Sequence, residues 1–526
     1  MPLPRCRLLI PVGLLLGALL ACTPGQAPQP VPQPSPASDV HALDKFYNQN
    51  LAWGPCAPYA EDAHSQDAFA APGVECARLS VPLDYARGDG TTITVGVLRH
   101  KASDPANRIG SLVLDPGGPG GSGMEAAARL VPTVANDAIG LRFDLVGFDP
   151  RGVGASEPRV RCLTDAERDA DRLNHRGDGT TPESATAWAA FARDFAGKCL
   201  QRTEYGAAML ANVGTRDVVK DLDVLRAALG DAKLSYLGYS YGTQIGAGYA
   251  EVYPRNVRAL VLDGAIDPAE SEPDSLVSQG QGFSRAFGLF AAACAQHTGC
   301  AVGPDPTRAP SLFADLTRPL LTVPTQAGAG RKLSYDDAMT GVVDAMYSQE
   351  SWPLLNAALN LLKAGDGSVL LRLADSYYDR GPDGRYSSLQ DAYYAVRCAD
   401  TPRAPDQGAV AATHQRMLAA APFLGGGRPD QGEADVCSSW PVPGTSAPHR
   451  PSLPRVPPPL VISSTEDPVT PYQAGVNLAN EIGGGLLTFD AAQHTAFLHG
   501  NQCVDVNALA YLVDGTMPPP NTHCPA

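Results

Sequence analysis

The chain has 526 residues, enough for a catalytic core of about 250 to 300 residues plus a large second module. Apolar residues make up 44% and charged residues 18%, which excludes a disordered chain. Lys plus Arg 40 against Asp plus Glu 55 gives a net charge of -15, which repels phosphate backbones, so nucleic acid is not an expected partner.

Arg5 and Arg7 precede an apolar run, Leu8 to Leu20, and Ala21 supplies a small residue for cleavage, so residues 1–21 read as a secretory signal. Leu19-Leu20-Ala21-Cys22 resembles a bacterial lipobox, which makes Cys22 the expected site of lipidation and 22–40 an anchor with a Pro-rich tether. Ordinary cleavage between Ala21 and Ala27 is the alternative and would release a soluble protein. No later segment offers the roughly 20 apolar residues of a membrane span, so contact with a membrane is expected only through the lipid. Ten cysteines remain after Cys6 and Cys22, and no C-x-x-C pair occurs, which favours disulfides over a metal site. Connectivity does not follow from sequence, but nearest-neighbour pairing gives Cys56–Cys76, Cys162–Cys199, Cys294–Cys300, Cys398–Cys437 and Cys503–Cys524. An exported protein of the cell envelope is expected.

In chain order, Ala77 to Tyr85 and Thr91 to Lys101 read as a hairpin about Gly88-Asp89-Gly90. Short apolar runs follow at Ser111 to Leu114, Phe143 to Phe148, Leu234 to Leu237, Ala259 to Leu262, Pro459 to Ser463 and Gly485 to Phe489. Such runs suit parallel strands with both faces covered. Val218, Leu222, Leu225 and Leu229 repeat at helical spacing and stop at Gly230. The pattern predicts a doubly wound, mostly parallel α/β sheet with its core split between 41–266 and 456–526. From Asp267 to Arg455 the strand signal fades, and Ala338 to Tyr347, Leu354 to Lys363 and Leu389 to Val396 carry helical periodicity. Residues 267–455 are too long for a connection and read as an inserted helical cap.

Gly238-Tyr239-Ser240-Tyr241-Gly242 matches G-x-S-x-G directly after a predicted strand, the position of a nucleophile elbow. A serine hydroxyl needs a base to take its proton and an acid to orient that base. Asp467, after the strand Pro459 to Ser463, is the expected acid, and His494, after Phe489, the expected base. Glu466 and Asp490 rival the acid, and His499 rivals the base. The glycine-rich run Asp115 to Gly123 also follows a strand, and the N–H groups of Gly118 and Tyr241 are expected to form an oxyanion hole. The run lacks the Gly-Lys-Ser/Thr of a phosphate-cradling loop. Asp149 to Ser156 is expected to be a turn held by a network between Asp149 and Arg151.

Together, G-G-P-G-G-S-G, D-P-R-G-V-G-A-S, G-Y-S-Y-G-T, D-P-V-T-P and Q-H-T resemble the secreted tripeptidyl aminopeptidases of bacteria. That group is similar to the prolyl iminopeptidases of the α/β-hydrolase superfamily, and the likeness runs from Cys56 to Cys524. It implies a cofactor-free serine exopeptidase whose partners are peptides with a free N-terminus. Asp115 departs from the pattern, and its carboxylate is expected to turn away from the developing oxyanion into a hydrogen bond. Glu270, Glu272 and Asp274, where the chain enters the cap, are the expected receptors of the substrate amino group. An esterase or lactonase with the same triad is the second reading, and a binding lipoprotein that keeps the fold without catalysis is the third.

Overall fold

The computed structural model describes residues 40–177, 181–404, 406–424, 436–453 and 455–526. The expected signal, Cys22 and most of the tether lie outside the described residues. A nine-stranded sheet forms the core. Its strands in chain order are β1 (Val74–Pro82), β2 (Thr92–His100), β3 (Gly110–Asp115), β4 (Phe143–Phe148), β5 (Leu234–Tyr239) and β6 (Val257–Asp263). After a short pair, β7 (Thr325–Gln326) and β8 (Lys332–Leu333), come β9 (Leu460–Ser464), β10 (Gly485–Asp490) and β11 (Thr522–Pro525).

The order across the large sheet is β1-β2-β4-β3-β5-β6-β9-β10-β11. The first hairpin is antiparallel, as is the pairing of β2 with β4, and every other pairing is parallel. The short apolar runs are short because each is covered twice. All six residues of β3 and of β5 are buried. Successive residues serve opposite layers: Tyr236, Leu260 and Val461 join one apolar core, while Leu237, Val261 and Ile462 join the other. The edge strand β11 carries too weak a signal to be read from sequence and is tied back by Cys503–Cys524.

Between β6 and β9 the chain builds a mainly helical insertion, with long helices at Glu272–Ala295, Tyr335–Met346, Trp352–Lys363, Ser368–Tyr377, Leu389–Asp400 and Gln407–Ala420. It has an apolar core of its own, in which Phe287 stacks on Phe423 at 4.6 Å beside Phe290, Phe313 and Met339. Two helices from outside this segment, Asp165–Arg172 and Pro182–Arg202, dock on it. The buried arginines of the first make the joint: Arg168 pairs with Asp391, and Arg172 with Asp337 at 2.8 Å and Asp375 at 2.7 Å. All ten cysteines of 56–524 are paired, in the nearest-neighbour pattern. Among the described residues no helix is long and apolar enough to cross a membrane.

The turn after β4 corrects one expectation. Asp149 and Arg151 do not pair, because the turn sends their side chains to different partners. Asp149 accepts from Ser122 Oγ and from the N–H groups of Met124 and Ala155. Arg151, fully buried, donates Nε and Nη2 to Asp221 at 2.6 Å each and its remaining N–H groups to the carbonyls of Pro82, Leu83 and Asn212. Removing one member of a buried ion pair strands the other's charge, so Arg151→Ala is expected to lower the unfolding free energy by about 3–5 kcal/mol in urea titrations. A loss below about 1 kcal/mol would show that Asp221 finds water or another cation.

Candidate active site

At the end of β5 the backbone turns sharply. Ser240 adopts φ 53° and ψ -122°, then the helix Tyr241–Val252 begins. A side chain at positive φ costs about 1–3 kcal/mol, and the surroundings must hold it there. The Ser240 N–H donates to the Asp263 carbonyl at 2.9 Å, anchoring the turn to the end of β6. A Cβ on Gly242 would come within 2.7 Å of the Asp115 carbonyl oxygen, and one on Gly117 within 2.5 Å of the Tyr239 carbonyl oxygen. The motif therefore needs its glycine, and the glycine-rich loop lies directly against the elbow. Ser240 Oγ donates to no protein acceptor among the described residues, which leaves it able to turn.

Asp467 follows β9 and is wholly buried. Its Oδ1 accepts the N–H groups of Val469 and Thr470, each at 2.9 Å, so the carboxylate is fixed by its own loop. His494 follows β10 and presents Nδ1 to both carboxylate oxygens at 3.0 Å. Thus Nδ1 carries the proton of the neutral ring and Nε2 is the basic nitrogen. The ring is packed edge-on against Tyr347 of the insertion, with centroids 5.5 Å apart and planes at 86°. Opposite, a Cβ on Gly264 would lie 3.0 Å from His494 Cε1, which sets the imidazole beside the strand end that anchors Ser240.

Two residues of this site escape a reading of the sequence. Asp263 receives Ser240 through its carbonyl, while its Oδ2 accepts the N–H groups of Ala496 and Phe497 at 2.8 and 2.7 Å. It joins the elbow to the loop that carries His494, and burial pushes its carboxyl up to about 6. Tyr347 accepts the His494 N–H at its carbonyl at 2.8 Å, and a β-bridge between Ser348 and Gln493 extends the contact. Neither carries a local signal, since an Asp at a strand end and a Tyr at a helix end are common.

The N–H groups of Gly118 and Tyr241 donate to no protein acceptor among the described residues, as an oxyanion hole requires. Behind them Asp115 is almost wholly buried; its Oδ1 accepts the Gly117 N–H at 2.9 Å, and its Oδ2 has no hydrogen-bond partner among the described residues. Burial, with Asp149 nearby, pushes this carboxyl up to about 7. The rival groups are engaged elsewhere. Glu466 faces Arg285 at 3.4 Å, Asp490 holds His523 at 3.1 Å, and His499 stacks on Tyr239. The three acids at the entry to the insertion do not join the serine, acid and histidine. Glu272 is paired with Arg397, Asp274 with Arg416 at 2.6 Å, and Glu270 accepts from Ser278 Oγ at 2.8 Å. A carboxylate already neutralised by a guanidinium makes a poor receptor for an ammonium. Among the described residues no group of three or more His, Cys, Asp or Glu is arranged to hold a metal ion.

Residues 110–500 match the family model described as the alpha/beta hydrolase fold. The chain is 42% identical to serine protease Hip1 of Mycobacterium tuberculosis, covering 90% of this chain and 91% of that one. It is 42% identical to carboxylesterase B of the same organism over 99% of this chain and 98% of that one. Its identity to the tripeptidyl aminopeptidase of Streptomyces coelicolor is 28%, over 84% and 81% of the two chains.

Asp115 supplies a test of this geometry through its proton. Its folded pKa lies above the value near 3.9 of an unfolded chain, so its contribution is most favourable below pH 4 and is lost as pH rises towards 7. Asp115→Asn keeps an oxygen for the Gly117 N–H and removes the titration. The melting temperature of the variant is expected to gain on that of the wild type as pH is raised from about 4 to 7. A difference independent of pH would mean that the loop exposes this carboxyl to water.

Proposed function

The chain belongs to the α/β-hydrolase family and is a serine hydrolase, and from that premise we propose that it is an exported aminopeptidase that releases short peptides, tripeptides foremost, from free N-termini. Ser240 Oγ attacks the scissile carbonyl carbon as His494 Nε2 takes its proton. Asp467 keeps the other ring nitrogen protonated and stabilises the imidazolium. The N–H groups of Gly118 and Tyr241 receive the oxyanion. His494 returns the proton to the leaving amine; water, activated by the same His494 Nε2, then hydrolyses the peptidyl ester on Ser240, freeing the short peptide as its carboxylic acid and restoring the hydroxyl.

The observation that carries this reading is the His494 to Asp467 pair, closed at 3.0 Å beside a serine held at positive φ. The peptide substrate is supported by the relatives named as a serine protease and a tripeptidyl aminopeptidase. Five disulfides support an oxidising compartment, with Cys22 as the anchor. The relative named as a carboxylesterase favours a second reading, hydrolysis of small acyl esters with the same groups. Ser240→Ala and His494→Ala are each expected to lower kcat at least about a thousandfold with little change in stability. Free-amine tripeptidyl aminocoumarins are expected to exceed their N-acetylated forms in kcat/KM by at least about a hundredfold. Equal rates on blocked and free peptides, with faster turnover of nitrophenyl esters, would select the esterase instead.

A further inference from the structure

The mechanism above uses the backbone of Tyr241 and leaves its side chain without a task, yet that side chain is held firmly. The ring is buried, and its hydroxyl lies 2.6 Å from Thr215 Oγ1 and 3.3 Å from Asp400 Oδ2. Thr215 Oγ1 donates to the same Asp400 oxygen at 2.6 Å. An ionised carboxylate only accepts, and a threonine hydroxyl has one proton to give, so the Tyr241 hydroxyl must be the donor to Thr215. The charge at the end of this chain strengthens both of its bonds.

The three residues come from three distant parts of the sequence. Asp400 ends the helix Leu389–Asp400 of the insertion, Thr215 opens the helix Thr215–Ala228 of the core, and Tyr241 opens the helix that follows the serine. The helix at Thr215 starts from Gly214, which has no side chain to cap it. Asp400 Oδ1 takes that place by accepting the Thr215 N–H at 2.8 Å. The approach is close: a Cβ on Gly214 would come within 2.5 Å of Asp400 Oδ1. The helices of Thr215 and Tyr241 also lie side by side, since a Cβ on Gly248 would meet Val219 at 3.3 Å. A carboxylate of the insertion therefore reaches the residue next to Ser240 through a buried, fixed route.

That route bears on the elbow. Ser240 at φ 53° is strained, and such a backbone relaxes unless its surroundings hold it on both sides. Before the peptide that joins Ser240 to Tyr241, the Ser240 N–H is tied to the Asp263 carbonyl at 2.9 Å. After it, the Tyr241 side chain is tied to Thr215 and Asp400. The peptide between these two ties carries the N–H that receives the oxyanion.

We propose that Asp400 is a positioning residue for the oxyanion hole, acting through the Tyr241 hydroxyl on the direction of the Tyr241 N–H. The assignment rests on the serine mechanism above and is indifferent to the acyl group, since peptides and small esters pass through the same oxyanion.

The test uses Tyr241→Phe, Asp400→Ala and the double variant, with active sites counted by a fluorophosphonate carried to completion so that unfolded protein drops out. Each single variant is expected to lose about tenfold in kcat per titrated site, on nitrophenyl butyrate and on a tripeptidyl aminocoumarin alike, with KM within about twofold. Inhibition by butaneboronic acid, whose adduct with Ser240 sets an oxygen in the oxyanion hole, is expected to weaken about tenfold in step. The double variant is expected to lose about tenfold as well, because both changes break one chain. Tyr241→Phe keeps the buried ring, so it decides the matter if Asp400→Ala yields no titratable sites. Full kcat per titrated site in a single variant, a loss carried by KM, an unchanged boronic acid affinity, or a double variant that loses about a hundredfold overturns the assignment. Full activity in Ser240→Ala overturns the serine mechanism beneath it instead.

Discussion

The structure turns on a backbone that a serine does not adopt willingly. At φ 53° Ser240 is held by one hydrogen bond from its own N–H to Asp263 and by neighbours that leave no room for relaxation. The residues around it are chosen by that constraint. Gly242 is small because the Asp115 carbonyl passes beneath it, and Gly117 because the Tyr239 carbonyl does. Two parallel strand neighbours, β3 and β6, deliver the glycine-rich loop and the anchoring carbonyl to the same end of β5. Strand order thus determines which loops meet the serine, and sequence distance has no part in it.

The insertion does more than shade this centre. It touches the loops of Asp467 and His494 and the glycine-rich loop. Gly282 presses on the acid's loop so closely that a Cβ would come within 2.6 Å of the Pro468 carbonyl oxygen. Tyr347 and Ser348 bond to the histidine loop. Leu389 and Ala392 lie over the glycine-rich loop, where a Cβ on Gly120 would meet the Leu389 carbonyl at 2.6 Å. Buried ion pairs such as Arg172 with Asp337 then tie the insertion to helices of the core segment. The same packing positions the loops of Asp467 and His494 and the glycine-rich loop.

How much of this is legible in the sequence depends on whether a signal is local. The strand Phe143–Phe148 is read to the residue, because five of its six residues are buried and none of those five carries a polar side chain. Ser240, Asp467 and His494 stand out because each follows such a run. The helix Asp165–Arg172 is not legible, since six of its eight residues are acidic or basic in a pattern that looks solvated, yet Arg168 and Arg172 are buried. Their partners lie some two hundred positions away in sequence, in the helices of the insertion. The pairing of Glu272 and Asp274 is hidden for the same reason, as Arg397 and Arg416 arrive from distant helices. Asp263 differs from other carboxylates at strand ends only in what the fold brings beside it.

The bridge between Ser348 and Gln493 has a consequence for exchange between relatives. A lid hinged freely over a cleft can be swapped among homologues, and the chemistry beneath survives the change. Here the peptide bond that receives the His494 N–H belongs to the insertion, so a transplanted lid would bring a foreign support for the imidazole. Insertion and His494 loop must therefore drift together through evolution, and a chimaera that respects only the segment boundary would lose the backbone bond that holds His494 in place. The natural unit of exchange is the insertion together with Ala492 to Phe497.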